Sequence, residues 1–79
     1  MNWEMIIEKI QNVIAAAADI DIDDIAPESE LVDDLELSSL ELFTIAGELE
    51  GVFHIRLRES DLRSVVTVED LASVVNNKL

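Results

Sequence analysis

The stretch Ser38-Ser39-Leu40-Glu41-Leu42-Phe43-Thr44-Ile45-Ala46-Gly47-Glu48-Leu49-Glu50-Gly51-Val52-Phe53 sets the fold class. Placed on a helix at about 100° per residue, it gathers Leu42, Ile45, Ala46, Leu49, Val52 and Phe53 on one face, which reads as core. Leu40, Phe43, Thr44 and Gly47 fall on the opposite face, flanked by Glu41, Glu48 and Glu50. The result is a small exposed apolar strip in an acidic frame, a surface suited to docking a partner. Ordinary surface exposure or a homodimer face is the alternative account of the same strip.

The start of this helix carries its own signal. Ser38 and Glu41 read as a capping box, with Ser38 as the cap and Glu41 at the third helical position. Ser39 then occupies the first helical position. Its hydroxyl is not needed for capping, and it stands beside unpaired backbone amides and the positive end of the helix dipole. A phosphate ester at Ser39 is electrostatically favoured there. The plainer reading, that both serines are helix-start residues and nothing more, fits the local sequence too.

Working outward, Trp3, Ile6, Ile7, Ile10, Val13, Ile14 and Ala17 recur at helical spacing and predict an amphipathic helix over residues 3 to about 17. From Asp19 to Leu37 the periodicity lapses and Pro27 intervenes. There Ile20, Ile22, Ile25, Leu31 and Leu35 can pin a long loop onto a core, and a loop of that length is unusual unless it is functional. A short strand at Asp19 to Ile25 would lack a pairing partner. On the other side, Thr67 and Asp70 form a second capping box, followed by the apolar stripe Val68, Leu71, Ala72 and Val75. Ser60 to Val65 has room for one short helical turn. The expected architecture is all-α, one domain over residues 1–79 with three main helices and one short one.

Composition narrows the function. Eighteen acidic residues against five basic ones give a net charge of −13, which repels nucleic acid and anionic membranes and attracts basic surfaces. Acidity also serves plain solubility. With no cysteine and one histidine, the chain makes no disulfide, no thiolate metal site and no imidazole cluster, so any thiol chemistry must come from a cofactor. No apolar run is long enough to span a bilayer and no signal peptide is legible, which places the expected protein in the cytoplasm. A Ser39–His54 nucleophilic pair is excluded, because on one helix the two lie about 22 Å apart. The acidic run Asp19 to Asp24 lacks the glycine and distal glutamate of an EF-hand loop. No catalytic residue and no dedicated metal site is expected, although dense carboxylates can bind divalent ions weakly.

Asp34-Leu35-Glu36-Leu37-Ser38-Ser39-Leu40 resembles the Asp-Leu-Gly-x-Asp-Ser-Leu signature of the acyl carrier proteins. Ile25-Ala26-Pro27-Glu28-Ser29, Glu48-Leu49-Glu50 with Phe53, and Thr67-Val68-Glu69-Asp70-Leu71 are similar to further segments of that family, and the resemblance covers nearly the whole chain. It implies a carrier domain with 4′-phosphopantetheine, taken from coenzyme A by a phosphopantetheinyl transferase, on Ser39. Ser39 is chosen over Ser38 because it lies four residues after Leu35 and directly before Leu40. Acyl groups would ride on the arm as thioesters, with Leu42, Ile45, Leu49 and Phe53 lining an acyl pocket. Leu40, Glu41, Phe43 and Glu48 would face acyl-transferring enzymes with basic docking surfaces, and the carrier would be monomeric.

Two features depart from the family pattern: Ser38 stands where Asp is usual and Glu36 where Gly is usual. Arg56, Arg58 and Arg63 also place three of the five basic residues after Phe53, either for specialised partners or to offset local repulsion. A reading from another class is an unmodified acidic helical domain that binds a protein partner without any prosthetic group.

Overall fold

The computed structural model describes Met1–Leu79 and contains helices α1 (Trp3–Ala18), α2 (Ser39–Phe53), α3 (Glu59–Leu62) and α4 (Val68–Lys78). This is the all-α arrangement of three main helices and one short one that the periodicity predicts. α1 packs against both α2 and α4, and α3 packs against α4. Residues 19–25 form no strand: Ile22–Asp24 is one 3-10 turn, and Glu30 and Thr67 make an isolated antiparallel bridge.

Fourteen residues are buried, all apolar, so no buried polar group has to be compensated in the core. α1 supplies Ile6, Ile7, Ile10 and Ile14; α2 supplies Ile45, Leu49 and Phe53; α4 supplies Val68, Leu71, Ala72 and Val75. The loop adds Ile25, Leu31 and Leu37. Three residues expected to pack inward do not. Trp3 lies at the centre of the α1 stripe but in its first turn, and it is 42% exposed. Val52 sits at the edge of the α2 stripe, about 80° from its centre line, in the last turn, and is 43% exposed. Ile22 opens the 3-10 turn and faces solvent, leaving Ile25 and Leu31 to anchor the loop with Ile20 and Leu35 half-buried.

Backbone hydrogen bonding explains why so long a loop holds its shape. A helix start leaves its first amides without intrahelical acceptors. At α4 the loop supplies them: Val68 N–H donates to Ser29 O at 3.1 Å and Glu69 N–H to Pro27 O at 2.9 Å. Leu31 N–H adds a bond to Val66 O at 2.9 Å. On the α1 side, Gln11 Nε2 donates to Ile25 O at 2.8 Å. The loop is therefore tied to α1 and to the head of α4, and its buried leucines follow.

Three non-glycine residues adopt left-handed backbone: Asp19, Glu36 and His54, with φ of 54°, 54° and 56°. Asp19 and His54 end α1 and α2, their amides donating to Ala15 O and Glu50 O, the usual place for such a conformation. Glu36 ends a tight turn whose Leu37 N–H returns to Leu31 O at 3.1 Å. A residue with a Cβ pays roughly 1–2 kcal/mol for this conformation, and Asp and His tolerate it better than Glu.

At the head of α4, Asp70 Oδ2 accepts from the Thr67 and Val66 amides at 3.0 Å each, while Thr67 Oγ1 accepts from Asp70 N–H at 3.1 Å. The Thr67 amide, then that of Val66, holds the Asp70 carboxyl below the ordinary aspartate range. A depressed folded-state value means that the ionised form stabilises the fold above the ordinary range, and that this contribution disappears as pH falls through the folded value. Asp70→Ala is expected to melt lower than wild type at pH 7. In thermal melts run downward in pH the gap should close below the ordinary aspartate range, and a constant gap would show that the cap does not act through its charge. Phe53→Ala is expected to cost about 3–5 kcal/mol in chemical denaturation, because it empties a buried site.

Candidate functional site

The head of α2 is built from a closed cap and an open hydroxyl. Ser38 Oγ accepts from Glu41 N–H at 3.1 Å, and Glu41 Oε1 accepts from Ser38 N–H at 2.9 Å. The capping box read from the sequence is present, with Ser38 as the cap and Ser39 the first helical residue. Ser39 is exposed, and its hydroxyl takes no part in the cap. The Ser39 and Leu40 amides make no hydrogen bond within the chain, in contrast to the loop-satisfied amides of α4. Two free donors and the helix dipole thus face the position where a group on Ser39 would sit.

Beside Ser39 opens a cleft of about 390 Å³, within the range of small-molecule sites. α2 contributes Ser39, Leu42, Phe43, Ile45, Ala46, Gly47 and Glu50; the loop before it contributes Leu31 and Val32. Leu57, Glu59, Leu62, Arg63, Val65 and Leu71 close the far side. Glu50 also fixes that side in place, since its Oε2 accepts from Leu57 N–H at 2.8 Å and so holds the α2–α3 connection against α2. Of the four residues expected in an acyl pocket, Leu42 and Ile45 line this cleft. Leu49 and Phe53 are buried in the core and are not among its lining residues.

The expected docking residues divide in the same way. Leu40 and Phe43 are 77% and 70% exposed, and Glu48 is exposed. Glu41 is half-buried with its carboxylate engaged on the Ser38 amide, so its charge is partly committed to the helix start. Phe43 has a double position, on the exposed strip and in the wall of the cleft. The sequence reading misses Val32, which is 58% exposed and also lines the cleft, because no helical periodicity marks a loop residue. The far wall was missed for the same reason, its residues being scattered through a segment with only one short helix.

Arg56, Arg58 and Arg63 are all exposed, and none forms an ion pair. The one ion pair in the chain joins Lys78 Nζ to Asp61 Oδ2 at 2.7 Å, and this contact, with the Arg58 amide, keeps the Asp61 carboxyl low. Only Arg63 borders the cleft. No group of three or more histidine or carboxylate side chains is placed to hold a metal ion. No helix is long and apolar enough to cross a membrane.

A family model described as the phosphopantetheine attachment site matches residues 8–75. The acyl carrier protein of Coprothermobacter proteolyticus is 30% identical over 79 residues, covering 100% of this chain and 96% of its own. The chain belongs to the acyl carrier protein family. The Shigella flexneri acyl carrier protein is 34% identical over 73 residues, with 92% of this chain and 94% of that one covered. For the Desulforapulum autotrophicum acyl carrier protein the identity is 35% over 71 residues, covering 89% of this chain and 92% of that one. The cofactor of this acyl carrier protein family member is covalently attached 4′-phosphopantetheine, and its class of partners is a phosphopantetheinyl transferase and acyl-handling enzymes. The head of α2 fits that group: an exposed hydroxyl, two unpaired amides for a phosphodiester, and an apolar cleft alongside.

Proposed function

We propose that this chain is a single monomeric, cytoplasmic carrier domain that holds acyl groups on an arm attached to Ser39 and performs no reaction itself. The observation that carries the assignment to Ser39 is the division of labour at the head of α2. Ser38 Oγ is occupied by the Glu41 amide, while the neighbouring Ser39 hydroxyl is exposed and free. In loading, Ser39 Oγ attacks phosphorus in the pyrophosphate of coenzyme A. A phosphorus–oxygen bond to the nucleotide breaks, adenosine 3′,5′-bisphosphate leaves, and the hydroxyl proton passes to the transferase. The Ser39 and Leu40 amides and the α2 dipole favour the resulting phosphodiester anion. Once attached, the arm supplies the terminal thiol that a chain without cysteine lacks and that holds an acyl group as a thioester.

Leu42 and Ile45 would shelter the acyl chain in the cleft, while Leu49 and Phe53 shape it from the core. The exposed strip at Leu40 and Phe43, with Glu48 and the remaining charge of Glu41, would present the cargo to basic partner enzymes. Nucleic acid and membrane surfaces are not the intended partners of so acidic a chain. The pathway is fatty acid synthesis or a related specialised one. Arg56 and Arg63, exposed and outside any ion pair, favour the specialised branch, whereas the Arg58 charge helps to hold the Asp61 carboxyl low.

Two experiments test these roles. Incubation with coenzyme A and a broad-specificity phosphopantetheinyl transferase is expected to add one arm, seen by intact mass, with Ser39→Ala abolishing the addition. Ser38→Ala should still be loaded while losing about 1 kcal/mol of stability with its cap. An unmodified wild-type chain, in this assay and from its native host, would support the plain interaction domain instead. For docking, Glu48→Lys is expected to slow acyl transfer from a partner enzyme at low salt, with the deficit shrinking as salt rises. Phe43→Ala should weaken the same step while changing stability by no more than about 0.5 kcal/mol. Transfer indifferent to both substitutions would remove the strip from the docking surface.

A further inference from the structure

Glu36 is the residue whose identity the fold does least to explain. Its backbone is left-handed at φ 54°, a conformation that glycine adopts freely and that Asp and His, the residues at the other two such positions, tolerate better. The turn itself is needed, since Leu37 N–H returns to Leu31 O at 3.1 Å and Leu31 and Leu37 are both buried. The glutamate is not. Its side chain is exposed and makes no hydrogen bond or ion pair within the chain. In a chain of net charge −13, its carboxylate adds repulsion as well. Backbone conformation and electrostatics thus disfavour glutamate here, and no hydrogen bond within the chain requires it. A strained residue that the fold does not require points to a requirement outside the chain.

The position indicates which requirement. Leu35 is half-buried and Leu37 buried, so Glu36 is held between two anchored neighbours with its carboxylate outward. Only Leu37 and Ser38 lie between it and Ser39, and three Cα–Cα steps put the Glu36 and Ser39 Cα atoms no more than about 11 Å apart. A protein that brings catalytic groups to Ser39 Oγ must cover this surface. An enzyme that meets the far end of an attached arm need not. Nearby, Asp34 Oδ2 is occupied by the Glu30 amide at 2.7 Å and Glu41 Oε1 by the Ser38 amide at 2.9 Å, whereas the Glu36 carboxylate is uncommitted.

We propose that Glu36 is a specificity residue for the enzyme that loads Ser39, its outward carboxylate being read by a basic side chain of that enzyme. The proposal rests on attachment at Ser39, and its test separates the two. The full-length chain and its Glu36→Gln, Glu36→Asp, Glu36→Gly and Ser39→Ala variants are loaded from coenzyme A by the phosphopantetheinyl transferase of the same organism. Loading kcat/KM is measured by mass at low and high salt, alongside melting temperature. Glu36→Gln is expected to lose about 5-fold in kcat/KM at low salt with a melting temperature no lower than wild type, and the loss should fade at high salt. Glu36→Asp should retain most of the rate. Glu36→Gly should melt about 4–8 °C higher yet load as slowly as Glu36→Gln. Wild-type kcat/KM in both Glu36→Gln and Glu36→Gly, or a loss equally large at high salt, would overturn the role of Glu36 while leaving Ser39 as the attachment point. Undiminished loading of Ser39→Ala would instead overturn the attachment reading.

Discussion

The amides at the head of α4 are the constraint on which the remaining architecture turns. A helix start presents donors that must find acceptors, and here the acceptors are carbonyls of Pro27 and Ser29. Those bonds draw the loop across the end of α4, and Leu31 N–H to Val66 O extends the attachment. Once the loop is held there, Leu31 and Leu37 are carried into the core, and the chain arrives at Ser38 in position to start α2. The bordering wall of the cleft, Leu31 and Val32, is placed by the same bonds. Hydrogen bonds of this kind are individually modest, near 1 kcal/mol net, but leaving buried donors unpaired costs more.

The contrast between the two main capping boxes has functional content. At α4 the box and the loop together satisfy the helix start, and the Asp70 charge is consumed in doing so. At α2 the box is present but the Ser39 and Leu40 amides are left without partners in the chain. One helix start is thus a structural joint and the other is kept open beside the hydroxyl that belongs to the proposed attachment. The fold secures the first with the loop and leaves the second facing solvent.

Acidity sets the other balance. An entirely apolar core of 14 residues has to hold together a chain with a net charge of −13 and a single internal ion pair. Some carboxylates are put to local use, as with Asp34 on the Glu30 amide, Glu50 on Leu57 and Asp61 on Arg58. Others, Glu36 and Glu48 among them, remain free at the surface around the α2 head and along its exposed side. A protein arranged in this way gives up some stability to keep a strongly acidic surface.

Periodicity and capping signals are local, and they determined the three main helices, both capping boxes and the free hydroxyl of Ser39 from the sequence itself. Family motifs added the cofactor, because Asp34 to Leu40 and Thr67 to Leu71 are contiguous patterns. What the sequence did not determine depends on neighbours distant along the chain. Helical spacing gives a residue's direction around an axis but not whether a partner extends that far along it, which is why Trp3 is centred on its stripe and still exposed. For the same reason Leu49 and Phe53 share a face with Leu42 and Ile45, yet only the latter pair reaches the cleft. The far wall from Leu57 to Leu71, the commitment of Glu50 to the Leu57 amide and the left-handed turn at Glu36 were decided by tertiary structure alone. The wall and the Glu50 bond arise where separate segments meet, and the Glu36 turn lies in a loop, so no helical periodicity encodes any of them.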